Sequence, residues 1–87
     1  MTTYDLLNIC DALPKSPAPP GFYWRGGWRL GEAEILYREI RAIDQSHTYL
    51  CQMLPLEFSA SGYRDIALAK QKTLCEFVVR ENMQKKP

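Results

Sequence analysis

The feature that most constrains this fold is a stretch of 23 residues, 32–54, that contains neither glycine nor proline. Gly31 precedes it and Pro55 follows it. Glycine and proline are the strongest local interruptions of regular structure. The stretch is therefore either one long element or two elements joined by a turn built from ordinary residues, and the spacing of its apolar side chains has to decide between them.

Helical spacing places most of the apolar residues of this stretch on one face, which favours a single long helix ended by Pro55. Glu32 and Glu34 fall in its first turn, where the helix dipole favours anions. Apolar residues off the face are few: Ile35, Ala42, Tyr49 and Met53. The face itself consists of Ala33, Leu36, Tyr37, Ile40, Ile43, Asp44, His47, Leu50, Cys51 and Leu54.

The competing interpretation breaks the stretch at residues 44–46, Asp-Gln-Ser. Residues 35–43 and 48–54 then become paired strands, which form a three-stranded sheet with the tryptophan-bearing segment before them. Their isoleucine, tyrosine and threonine residues suit strands. The sequence lacks the Asn-Gly or Asp-Gly pair that tight hairpins prefer, so the helix is the preferred prediction.

The flanking segments carry clearer signals. Residues 2–13 predict a short helix, in which Thr2 caps and Asp5 stands at the capping-box position. Residues 14–21 hold four of the six prolines and predict an extended linker. Residues 61–83 predict a second long helix, capped by a serine, and residues 84–87 predict a frayed tail.

These elements predict one small, mainly α-helical domain, residues 1–87. The short N-terminal helix is followed by the proline-rich linker, a small tryptophan-bearing hairpin loop, and an antiparallel helical hairpin of 32–54 against 61–83. The alternative is an α+β fold with a three-stranded antiparallel sheet and a C-terminal helix.

The tryptophan-bearing loop is the candidate binding site. Gly26 and Gly27 provide a tight turn, so the segment predicts a small β-hairpin. Tryptophan, tyrosine and arginine are the residue types enriched at binding hot spots. Five of them crowd into seven positions and are the predicted partner-binding residues: Tyr23, Trp24, Arg25, Trp28 and Arg29.

The sequence therefore indicates a non-enzymatic protein–protein interaction module, a small inhibitor or regulator of a larger protein. The alternative is a small nucleic-acid-binding regulator that uses the aromatic and arginine residues of 22–29 to stack on bases and contact phosphates. The net charge of +1 weighs against the alternative, because dedicated nucleic-acid binders present a basic face.

Candidates for chemistry are weak. Asp44, His47 and Cys51 would align on the predicted helix, but they share that face with leucine and isoleucine, so they are predicted to pack rather than to catalyse. Cys10, Cys51 and Cys75 are widely spaced and odd in number, which predicts free thiols. We expect no catalytic residue, no metal and no cofactor.

Localisation and assembly follow from the apolar pattern. No apolar run approaches the length of a membrane span, and the first residues show no signal-peptide pattern, so we expect a cytoplasmic protein without a membrane partner. A second apolar stripe on the last helix predicts a homodimer, because one partner helix covers only one stripe. That stripe is Leu68, Cys75, Val79 and Met83.

Overall fold

A three-stranded antiparallel sheet forms the centre of the fold, and a helix flanks it at each end of the chain. The structure is a computed structural model that describes residues 2–84. The strands lie in the order β1-β2-β3. The elements are α1 (Thr3–Asp11), β1 (Phe22–Leu30), β2 (Leu36–Ala42), β3 (Thr48–Met53) and α2 (Tyr63–Gln84), with short 3-10 turns at Glu32–Glu34 and Pro55–Ser59.

The mainly helical prediction is wrong, because residues 32–54 form two strands instead of one helix. Side chains of β2 alternate between buried and half-buried positions, a period of two that belongs to a strand. Apolar spacing did not reveal this period because one of the buried positions of β2 is occupied by a charged residue, Arg38. The fold is therefore the α+β alternative.

The turn between β2 and β3 forms without glycine. The Asp44 carboxylate accepts hydrogen bonds from the Ser46 backbone N–H at 2.9 Å and from the Ser46 hydroxyl at 2.6 Å. Gln45 adopts a left-handed backbone conformation with φ of 63°. A side-chain turn of this kind substitutes for the Asn-Gly pair that the sequence lacks.

The predicted tryptophan hairpin is also wrong, because Phe22–Leu30 is one continuous strand. Arg25 pairs with Glu39 and Arg29 pairs with Tyr37, so residues 26–28 face a single residue of β2. The two glycines therefore form a bulge, where Gly26 takes a positive φ of 69°. The two segments that were expected to pair with each other, 23–25 and 28–30, instead both belong to the strand that pairs with β2.

The two terminal helices agree with their predictions. In α1, the Thr2 hydroxyl accepts from the Asp5 backbone N–H, and the Asp5 carboxylate accepts from the Thr2 backbone N–H. The final helix spans Tyr63–Gln84 against a predicted 61–83. Apart from Gln84, the tail predicted to fray lies outside the described residues.

The core lies between one face of the sheet, here called the inner face, and the two helices. α1 packs against β1, and α2 packs mainly on β3. The proline-rich segment passes over β1, where the Ser16 carbonyl accepts a hydrogen bond of 2.7 Å from Trp24 Nε1. The buried apolar side chains form one cluster that draws on every strand and both helices: Leu6, Cys10, Leu13, Trp24, Trp28, Leu36, Ile40, Cys51, Met53, Ala67 and Val78.

Candidate functional site

The opposite, outer face of the sheet is the most distinctive surface of the described chain. Side chains on this face are exposed or half-buried, whereas their neighbours along each strand are mostly buried on the inner face. Cross-strand register groups the outer-face side chains into three rows. These are Tyr23, Arg41 and Thr48; Arg25, Glu39 and Leu50; and Arg29, Tyr37 and Gln52.

The outer face is positively charged. Glu39 lies between two arginines: its Oε2 atom is 3.3 Å from Arg25 Nη1 and 3.5 Å from Arg41 Nη2. Arg29 is exposed and forms no salt bridge with any residue between 2 and 84. Three arginines against one glutamate leave an excess of two positive charges on these three rows.

Apolar side chains extend the charged rows. Leu50 is 48% exposed and Tyr23 is 38% exposed, although both belong to regular strands. Ile43 and Leu54 lie just past the ends of β2 and β3 and are exposed as well. Aliphatic, aromatic and cationic groups thus lie on or directly beside one face of the sheet, and exposed apolar groups clustered in this way mark interaction sites more often than scattered ones do.

The structure divides the five predicted binding residues between the two faces of β1. Tyr23, Arg25 and Arg29 lie on the outer face, whereas Trp24 and Trp28 are buried in the core. Alternation along a strand produces this division, because successive side chains point to opposite faces. The tryptophans therefore support the fold at this site, and the tyrosine and the two arginines remain accessible.

A buried arginine fixes the bulge that separates Arg25 from Arg29. Arg38 Nε and Nη2 donate to the Gly26 carbonyl at 3.2 and 3.0 Å, and Nη1 donates to Gln71 Oε1 at 2.8 Å. The guanidinium also lies 5.2 Å from the centre of the Trp24 ring, within cation–π range. Burial lowers the pKa of Arg38, an effect opposed by the charge of Asp11.

Prediction from sequence missed the β2 and β3 members of this face, including Tyr37, Glu39 and Arg41. Assigning these residues to one face requires a strand for residues 32–54, and the preferred prediction was a helix. Once a strand period is assigned, Arg25 and Glu39 are an opposite-charge pair directly across two strands, which is a recognised stabilising pair. That pairing was the signal available in the sequence.

The Asp44, His47 and Cys51 set does not form the helical line considered from sequence. Asp44 and His47 lie at the exposed turn, where Ser46 Oγ is 2.8 Å from His47 Nδ1. Cys51 is buried on the inner face of β3. Burial raises the pKa of the Cys51 thiol to about 12, far from the range of a reactive thiolate.

Within residues 2–84, no cluster of three or more histidine, cysteine, aspartate or glutamate side chains is arranged to hold a metal ion. In the same described part, neither helix has the length and hydropathy of a membrane span. No protein-family model, curated protein or solved structure matches this chain.

Proposed function

We propose that this chain is a non-enzymatic protein-binding module, and that its outer sheet face docks on an acidic, partly apolar patch of a larger protein. The observation that carries the proposal is the combination on one face of exposed Tyr23 and Leu50 with Arg29, which has no salt-bridge partner within residues 2–84. A patch that offers carboxylates beside apolar side chains satisfies both groups, since arginine binds carboxylates through two parallel hydrogen bonds.

Protein is favoured over nucleic acid as the partner by the apolar content of this face. Leu50, Ile43 and Leu54 are exposed aliphatic side chains, and they have no counterpart on a phosphate backbone. Glu39 lies among the arginines and would repel phosphates, whereas a protein patch of mixed charge accommodates it. The tyrosines leave base stacking as the competing use of the face.

The test uses affinity capture from an extract of the native host, followed by quantitative binding of the recovered partner. Arg25→Ala and Arg29→Ala together are expected to weaken binding about tenfold or more, because each removes a charged donor worth roughly 1 kcal/mol or more at an interface. The matched control is Arg64→Ala with Arg80→Ala, two exposed arginines on α2. It removes the same charge and is expected to leave binding unchanged.

Three results bear on the proposal directly. Equal weakening by the α2 control would indicate non-specific charge attraction and contradict the outer-face assignment. Normal binding by the Arg25/Arg29 variant, together with unfolding of Trp28→Ala, would mean that β1 is purely structural. Capture of nucleic acid, with affinity that falls steeply with salt, would favour the competing function.

A further inference from the structure

The free edge of β3 shows an unusual combination of backbone and side-chain properties. The Ala42 N–H donates to the His47 carbonyl at 2.9 Å. This bond determines which residues of β3 direct their backbone groups toward β2 and which direct them away. Residues in an antiparallel pair bond to the neighbouring strand at every second position. Thr48, Leu50 and Gln52 therefore direct their backbone N–H and C=O groups away from β2, toward the open edge.

This edge lacks three features that commonly block strand pairing. Proteins protect edge strands with charged residues, prolines or bulges. β3 has six residues, Thr-Tyr-Leu-Cys-Gln-Met, with no charge, no proline and a regular register against β2. The edge is therefore competent to pair with a further strand along its whole length.

The side chains beside the edge are also exposed. A groove of about 580 Å³ lies between β3 and the adjacent stripe of α2. Ala69 and Thr73 are near the middle of that stripe and Phe77, 43% exposed, is near its end. Lys70, the cation of the groove, is neutralised by Glu57 at 2.9 Å, so no unpaired charge opposes an apolar neighbour.

We propose that β3 pairs with β3 of a second copy of this chain, antiparallel about a two-fold axis at Leu50, so that two sheets join into one of six strands. A second copy fits this edge, because a two-fold axis at Leu50 pairs each outward-bonding residue with another one and the uncharged strands place no like charges opposite each other. Leu50 meets its own equivalent, and Thr48 meets Gln52 of the partner subunit. Three such pairs exchange two bonds each, giving about six backbone hydrogen bonds.

The same two-fold operation brings the exposed stripes of the two α2 helices together. α2 packs mainly on β3, the edge strand, so part of the helix borders the interface rather than the core. The short side chains of Ala69 and Thr73 allow close approach of a second helix. This interface does not use the α2 stripe that the sequence predicted for dimerisation. In that stripe, Val79 borders the proline-rich segment of the same chain. The β3 interface does not depend on the proposed function.

The experiment measures molar mass by sedimentation equilibrium from micromolar to hundreds of micromolar. The unaltered chain is expected to be a dimer at tens of micromolar. Leu50→Lys is expected to raise the dimer dissociation constant about 100-fold or more, because it places two like charges directly opposite each other. Leu50→Pro removes only an edge-facing donor and is expected to do the same. Val79→Lys, an exposed apolar position on the other stripe, is the matched control and is expected to remain dimeric.

Amide hydrogen exchange on the unaltered chain keeps the proposal testable if either Leu50 variant fails to fold. The amides of Thr48, Leu50 and Gln52 are expected to become protected as concentration rises, while those of Tyr49, Cys51 and Met53 are protected throughout. A monomeric mass at hundreds of micromolar would overturn the proposal. So would a dimer in which those three amides exchange freely, or one that Val79→Lys dissociates and Leu50→Lys does not. Protection that appears only when another protein supplies the strand would also overturn it.

Discussion

The two edges of the sheet differ in how their backbone groups are satisfied. At the β1 edge, the Asp11 carboxylate at the end of α1 accepts a hydrogen bond of 2.7 Å from the Trp28 N–H. The bulge at residues 26–28 interrupts the register, and Arg25 and Arg29 place charges along the strand. At the β3 edge, no carboxylate, bulge or charge performs this role within the strand.

The difference shows how one chain protects one edge and leaves another available. The β1 edge is blocked by the Asp11 carboxylate of α1 and by the bulge, and the buried Arg38 guanidinium holds the bulge through the Gly26 carbonyl. β3 is covered by α2 on its inner face, and that contact leaves its edge open. A sheet with one blocked edge extends in one direction only, which limits strand pairing to a closed pair of chains rather than an open fibre.

The largest expected effect comes from removing the indole beneath the blocked edge. Trp28 is 3% exposed, so Trp28→Ala should destabilise the fold by about 3–5 kcal/mol. That is a large part of the roughly 5–10 kcal/mol expected for a domain of this size. Chemical denaturation measures it.

Trp28→Phe is the control for this prediction. The Trp28 Nε1 atom has no hydrogen-bond partner among the described residues, so phenylalanine loses volume and no hydrogen bond, and should be clearly less damaging. A Trp28→Ala protein as stable as the original would show that the blocked edge does not depend on the indole.

The second prediction concerns the buried guanidinium. Arg38→Met should cost about 2–3 kcal/mol, because it leaves Gln71 and the Gly26 carbonyl without their charged donor. Arg38→Met combined with Gln71→Leu should recover part of the loss, since the double variant removes both partners of one buried hydrogen bond. Strictly additive free energies of unfolding would contradict this coupling.

The sequence specified the elements whose signals are local. The Thr2 and Asp5 capping box predicted α1, and the helical spacing of apolar residues over 61–83 predicted α2. The prediction for residues 32–54 was wrong because helical and strand spacing both place Leu36 and Ile40 on the buried face. The residue that distinguishes the two spacings is Arg38, which is buried in the strand. Its burial depends on Trp24, Gly26 and Gln71, which are remote in sequence, so no local pattern revealed it.

The binding face was predictable only in part for the same reason. The composition of 22–29 identified Tyr23, Arg25 and Arg29 as binding candidates, and their use in binding stays a prediction. It also assigned Trp24 and Trp28 to the surface, because a hairpin loop exposes both. A continuous strand with a bulge turns them inward, and Arg38 bonds the bulge at the Gly26 carbonyl.

The third prediction tests how the β1 edge is blocked. Asp11→Ala should cost about 1–3 kcal/mol, because it leaves the partly buried Trp28 N–H without an acceptor. The matched control is Glu76→Ala, which removes an exposed carboxylate from α2 and should change the free energy of unfolding by less than about 0.5 kcal/mol. Faster amide exchange at Trp28 in Asp11→Ala alone is the second measurement. If the two variants had the same free energy of unfolding and the same amide exchange at Trp28, Asp11 would not be the group that protects the Trp28 N–H.

The smallest expected effect is slow thiol labelling beside both edges, at Cys10 and at Cys51. Burial raises the pKa of Cys10 beside β1 and raises that of Cys51 on β3 to about 12. Both thiols should therefore label slowly and at similar rates, after Cys75, which is half-buried.

Labelling in guanidinium chloride is the control for accessibility, since all three thiols should then react at similar rates. Labelling of Cys51 much faster than Cys10 in the folded protein would show that the β3 edge opens locally while the β1 edge stays closed.

The hydrogen bond from Arg38 to Gln71 joins residues 33 positions apart, and this separation bears on the order in which the chain folds. The β2–β3 hairpin closes a short loop around Asp44, whereas the Arg38 bond requires α2 to have docked. We expect substitutions at Asp44 to slow folding, with high φ-values. Substitutions at Gln71 should mainly accelerate unfolding. We therefore expect the Arg38–Gln71 hydrogen bond, which helps to hold the guanidinium beside the β1 bulge, to form late in folding and to be lost early in unfolding.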